Sequence, residues 1–254
     1  MAKGFEFTKL QDREDGRFIT RPMQFHASNS LNKEDITSVV EFAFELAFGA
    51  SGEHRNHRSG GTTRRKPGEI FANTFQGKIA EFHFYRSFQD QLDISYPDLS
   101  VSPLGVWDSG DFCLGQRKIA IKSTKHFGNL MLLEKYDWDN DGNYVPDKGS
   151  VAESYSAFIM IRLSQDIESI LKSERLLYAG QADKGQLHKL ISRYTWRFDI
   201  PGWIGINDLR SVIRSGEFIK KGALLNGRTQ MDADNFYIQC GDLRSIKSFV
   251  SMLS

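Results

Sequence analysis

Asp111 and Lys122 are the residues whose types and spacing suggest chemistry, and they flank the tripeptide Gly115-Gln116-Arg117. The run "KIAIKSTK", Lys118 to Lys125, opens with the aliphatic residues of a buried strand and then delivers Lys122, Ser123, Thr124 and Lys125. A basic group at the end of an apolar strand is either a solvated tip or a charge placed to stabilise an anion. The turn helps to separate these readings. If Gly115-Gln116 is a two-residue turn, which glycine at its first position favours, Leu114 pairs with Arg117, Cys113 with Lys118, Phe112 with Ile119 and Asp111 with Ala120. Phe112, Leu114, Ile119 and Ile121 then share a face suited to a core, and Asp111, Cys113, Lys118, Ala120 and Lys122 share the other. Opposed Cβ atoms lie about 5 Å apart and diagonal ones about 7–8 Å. The register therefore predicts Asp111 and Lys122 close together on one face.

An Asp before a short strand, a tight turn and a return strand ending in lysine, here "SGDF" and "KIAIKST", resembles the core of the PD-(D/E)XK nucleases. That superfamily includes many type II restriction endonucleases. The resemblance covers roughly residues 69 to 125, and Glu81 in "QGKIAEF" stands where several of these enzymes place a further helical carboxylate. It implies a Mg²⁺-dependent endonuclease that hydrolyses double-stranded DNA at specific sequences and leaves 5′-phosphate and 3′-hydroxyl ends. No nucleotide cofactor is implied. Asp111 is then a metal ligand, Lys122 the catalytic lysine, and Glu81 an acid that helps to hold metal or water. Magnesium takes one or two carboxylates and fills its remaining positions with water and phosphate oxygens. It polarises the phosphate and acidifies a bound water, while a nearby lysine offsets the charge that develops. A homodimer is expected of a type II enzyme, because a two-fold protein matches a palindromic site.

Two positions depart from the family pattern. Gly110 replaces the proline that usually precedes the Asp, and Ala120 stands where the second acid belongs. A methyl group cannot ligate a metal. Either the chain is a disabled relative that only binds DNA, or the acid has moved, with Glu81, Glu134 and Asp108 as the candidates in that order. A repair or nicking enzyme on the same core is the nearer alternative.

The elements that must position these residues are readable from apolar period. "NKEDITSVVEFAFELAFG" predicts a helix capped by Asn32, with Glu34 and Asp35 at its positive end and Gly49 as a left-handed stop. A second helix runs through "GEIFANTFQGKIAEFHFYRSFQ", where Ile70, Phe71, Phe75, Ile79, Phe82 and Phe88 recur near helical spacing. Between the two lies a polar, glycine-rich loop with Arg55, Arg58, Arg64, Arg65 and Lys66, read as a linker or a phosphate-contacting arm. Ser123, Thr124 and Lys125 are further phosphate-contact candidates. "NLMLLEKY" suggests a strand, and "SAFIMIRL" reads as one buried on both faces. Residues 1 to 30 carry little pattern. The whole predicts a single α/β (mixed α+β) domain over residues 1–254 with a central mixed sheet flanked by helices. Its catalytic core spans about 69–165, and the C-terminal part adds to the sheet, to DNA binding or to dimerisation.

Composition narrows the classes. A charged share of 26% with a net charge of +1 leaves no global basic field, so any nucleic-acid binding must come from local patches. The two cysteines, Cys113 and Cys240, fit neither a zinc site nor a disulfide scaffold and point to a reducing compartment. No apolar h-region or membrane span is evident, so a cytoplasmic location is expected. "DWDNDG" imitates the first half of a calcium loop, but Lys148 occupies the twelfth position, so a polar turn is the better reading. Arg193, Arg197, Asn226, Arg228 and Gln230 offer base-reading chemistry, with none singled out.

Overall fold

The computed structural model describes residues 5–28, 30–49, 65–100, 111–145 and 152–253. A short hairpin, β1 (Gln11–Arg13) and β2 (Gly16–Phe18), precedes two helices, α1 (Lys33–Phe48) and α2 (Pro67–Phe88). Strands β3 (Phe112–Leu114), β4 (Arg117–Lys125), β5 (Leu130–Glu134) and β6 (Ala157–Leu163) follow. The chain continues through α3 (Ile167–Ser173), α4 (Lys184–Ile191), β7 (Phe198–Gly205) and α5 (Ile206–Ser215). It ends with β8 (Leu224–Leu225), β9 (Thr229–Gln230), β10 (Asn235–Gln239) and α6 (Ile246–Leu253).

The central sheet has the order β3-β4-β6-β7, with β4 parallel to β6 and the outer pairs antiparallel. It is the mixed sheet flanked by helices that the sequence predicts. One face packs on α1 and α2 through Ile119, Ile121, Ile159 and Ile161. The other packs on the antiparallel pair β5-β10 and on α5 through Ala120, Phe158, Met160 and Ile204. All seven residues of β6 are buried, as its apolar run requires. Among the described residues no helix is long and apolar enough to cross a membrane.

Local signals act largely as read. The Asn32 side chain accepts from the Asp35 amide at 2.7 Å and caps α1. Gly49 corrects one expectation: its φ of −71° and ψ of 154° are extended, not left-handed. Glycine is wanted there because a Cβ would sit 2.3 Å from the Glu45 carbonyl oxygen. Asp139 gathers the Asp141 amide at 2.9 Å and the Asn143 amide at 2.8 Å, so "DWDNDG" is a polar turn closed on its own carboxylate.

Residues 5–28 hold more order than their sequence suggests. Arg162 lies on β6 with no exposed surface and binds Asp199 of β7 through two bonds, of 2.9 and 2.6 Å. The same guanidinium donates to the carbonyls of Met23 at 2.9 Å and Gln24 at 2.8 Å. Asp199 also accepts from the His26 amide at 2.9 Å. The buried Gln239 amide takes the amides of Thr20 and Arg21 and donates to the Thr8 carbonyl. Two buried polar side chains, Arg162 on β6 and Gln239 on β10, thus strap the segment from Thr20 to Gln24 onto the sheets.

His83 of α2 stacks on Phe198 with ring centroids 4.4 Å apart, and burial pushes its pKa down to about 4 against the opposing pull of Asp199. Because the folded value is below the unfolded one, the unfolded chain binds the extra proton between about pH 4 and pH 6.5. Stability contributed by neutral His83 is complete above about pH 6.5 and lost as pH falls toward 4, in all roughly 3 kcal/mol. Urea midpoints measured from pH 7 to pH 4 should fall more steeply for the wild type than for His83→Phe, which cannot titrate.

Candidate active-site cleft

The predicted hairpin register is the observed one, with Phe112 opposite Ile119, Cys113 opposite Lys118 and Leu114 opposite Arg117. Gly115 takes a φ of 59°, the left-handed value that a two-residue turn needs at its first position. The ladder ends at Phe112, and there the Asp111 carboxylate takes over. Its Oδ2 accepts from the Ile121 amide at 2.5 Å. Asp111 therefore extends the pairing by one rung and fixes the backbone immediately before Lys122.

Beyond that rung, β4 borders a cleft of about 450 Å³. Asn73 and Gln76 of α2 form one wall; Leu130, Leu132 and Glu134 of β5, with Asp232 and Asn235, form the other. The residues from Ile121 to Lys125 run between the walls, and Arg65 also lines the space. Lys122 is half-buried, opposite Met160 of β6, and its side chain makes no hydrogen bond or ion pair with a described residue. Ser123 faces α2, where the Gln76 side-chain amide reaches its Oγ and carbonyl oxygen at 3.4 Å.

The sequence-predicted residues separate into groups. Lys122, Ser123, Thr124, Lys125, Arg65 and Glu134 share the cleft. Glu134 ends β5 opposite Asn235, with its Oε2 closed to solvent. Asp111 reaches the same stretch of β4 through the Ile121 amide but is not a lining residue. Glu81 does not line the cleft either. It is buried on α2 and held by Lys78 at 2.6 Å, and that ammonium lies 5.2 Å from the Phe42 ring centroid. Lys125 is bound by Asp166 at 3.0 Å and Glu168 at 2.7 Å. Burial alone would lower its pKa, but these carboxylates outweigh burial and raise it, so its charge is already matched. Lys66 gives its backbone amide to Glu69 at 2.8 Å and starts α2. Arg55, Arg58, Arg64 and Asp108 lie outside the described residues.

Ala120 is 3% exposed and packs with Met131, Leu133, Phe158 and Met160. The place of the family's second acid is therefore filled by the apolar underside of β5. Among the described residues no three His, Cys, Asp or Glu side chains converge as a metal-holding group. The sequence reading missed Gln76 and Asp232. A polar residue near the middle of a largely apolar helix was the available signal for the first, and nothing local marks the second. Asn226, Arg228 and Gln230 lie exposed at the β8-β9 hairpin, and Arg193 and Arg197 are exposed elsewhere. None of these five lines the cleft. Comparison with known proteins adds no relative: no family model, no curated protein and no solved structure matches the chain.

Proposed function

We propose that the chain is a Mg²⁺-dependent, sequence-specific endonuclease for double-stranded DNA, of PD-(D/E)XK type and closest in kind to the type II restriction enzymes. One observation carries the reading: the β3-β4 hairpin, in the register the resemblance requires, delivers Lys122, without an ion pair among the described residues, into a polar cleft beside Glu134. A half-buried ammonium without a carboxylate partner among the described residues suits an anionic ligand. A DNA phosphate is the anion this arrangement fits.

The donor set has chemistry suited to magnesium, which takes hard carboxylate oxygens in small number. Asp111 and Glu134 would hold it, with Glu134 supplying the acid that Ala120 lacks. Glu81 is the weaker candidate for that role because it does not line the cleft that Glu134 and Lys122 share. When bound, the metal supplies charge neutralisation and a more acidic water. The chain's own residues do the rest. Asp111 locks the Ile121 amide and so aims the next side chain. Lys122 stabilises negative charge on the phosphate at close range. Thr124 and Arg65 line the same space and offer phosphate contacts. Action as a homodimer on a two-fold site, in the cytoplasm, belongs to the same proposal.

A second reading, a DNA-binding relative without cleavage, draws support from the buried Ala120 and the Lys78–Glu81 pair. Digestion of a long, fully sequenced DNA in Mg²⁺, with every fragment end mapped, separates the readings. Discrete fragments sharing one end sequence support the restriction enzyme, a smear supports a degradative or repair nuclease, and intact but retarded DNA supports the binder.

A further inference from the structure

Strand β4 is covered unevenly. β6 pairs with it from Ile119 to Lys125, whereas β3 covers only Arg117 to Ile119. Alternate residues of a strand send their amides to opposite edges. Lys118 faces β6, because its carbonyl accepts from the Ser156 amide at 2.7 Å. Ile121 faces the other edge, where Asp111 takes its amide. By the same alternation the Ser123 amide points to the uncovered edge, and among the described residues nothing accepts from it. That edge runs through the cleft, with α2 on one side and β5 on the other. The Ser123 carbonyl on the same edge already has the Gln76 side chain, at 3.4 Å.

A main-chain N–H in a half-buried cleft is open to an acceptor from outside the chain, and the adjacent residue supplies the Lys122 ammonium, which has no ion pair among the described residues. A fixed amide beside a cation is a donor pair for a phosphate oxygen. We propose that the Ser123 main-chain amide donates a hydrogen bond to a non-bridging oxygen of the DNA phosphate that Lys122 engages. The inference rests on the nuclease reading and adds a backbone donor to it. The inference concerns the Ser123 N–H and not its hydroxyl.

The test compares Ser123→Ala, which keeps the amide, with Ser123→Pro, which removes it. Proline is tolerated on a strand edge whose N–H is outside the ladder, so the β4-β6 pairing is retained. Single-turnover cleavage of a labelled duplex in Mg²⁺ is the readout, with far-UV circular dichroism and Tm as fold controls. Folded Ser123→Pro should cut about 100-fold more slowly than Ser123→Ala, the reference that lacks the same hydroxyl but keeps the N–H. If Ser123→Pro does not fold, the decision passes to a chain carrying the α-hydroxy acid analogue of serine at position 123, which replaces only the N–H by oxygen, with the same loss expected. Wild-type cleavage rates in a folded amide-less chain would overturn the inference and leave the nuclease reading standing. A wild type that cuts no DNA would overturn both.

Discussion

Asp199→Ala is expected to cost about 3–5 kcal/mol of unfolding free energy, the range for breaking a buried ion pair from one side. Arg162 has no exposed surface, and Asp199 is its only carboxylate partner among the described residues. Removing the carboxylate leaves a buried guanidinium that cannot lose its proton beneath the strap. The carbonyls of Met23 and Gln24 still accept from Arg162, but carry no net charge to balance it. The His26 amide loses its acceptor as well, so protease cleavage within residues 20–28 should accelerate. Equilibrium urea denaturation of both chains gives the value, and a loss below about 1 kcal/mol would show that the pair is not what holds the strap. Replacing both partners by apolar residues of similar volume should recover much of the loss, since an apolar pair leaves no buried charge.

Ala120→Glu carries the second large effect and bears directly on the missing acid. Inserting the family's carboxylate at a position 3% exposed places it against Met131, Leu133, Phe158 and Met160. Its packed neighbours among the described residues are apolar, so overpacking and carboxylate desolvation add together. A loss of about 3 kcal/mol is expected, which for a chain of this size lowers Tm by roughly 6–12 °C. Ala120→Ser should cost far less. On this account cleavage does not depend on an acid at 120, and Glu134→Gln impairs it instead. An Ala120→Glu chain as stable as the wild type and more active would mean that β5 yields at that point and that position 120 belongs to the metal site.

How far the sequence foretold the structure depends on the range of the interactions. The hairpin was legible because its signals are local: glycine at the first turn position and two alternating faces fix one register. The burial of β6 and the Asn32 cap were legible for the same reason. The N-terminal strap was not. Its anchors are backbone atoms met by Arg162 from 139 positions away, and no side-chain pattern in residues 20–28 encodes that. The β5 wall was half-legible: its apolar run marks a strand, but pairing with β10 brings Asn235 beside Glu134 from the far end of the chain. The burial of Ala120 follows from that long-range pairing too. Lys78 and Glu81 were within reach, since residues three apart on a helix are neighbours, and their pairing lowers Glu81 as a metal ligand.

The most direct test of the central claim is single-turnover DNA cleavage in Mg²⁺ by the wild-type chain and by Lys122→Ala, with binding measured in parallel by anisotropy in Ca²⁺. Lys122 has no ion pair among the described residues, so its loss should leave the fold intact. Discrete cutting by the wild type, a loss of about 100- to 1,000-fold in Lys122→Ala, and only a modest change in DNA affinity are expected. Equal cutting by the two chains, or no cutting by the wild type at any divalent concentration, would contradict that claim.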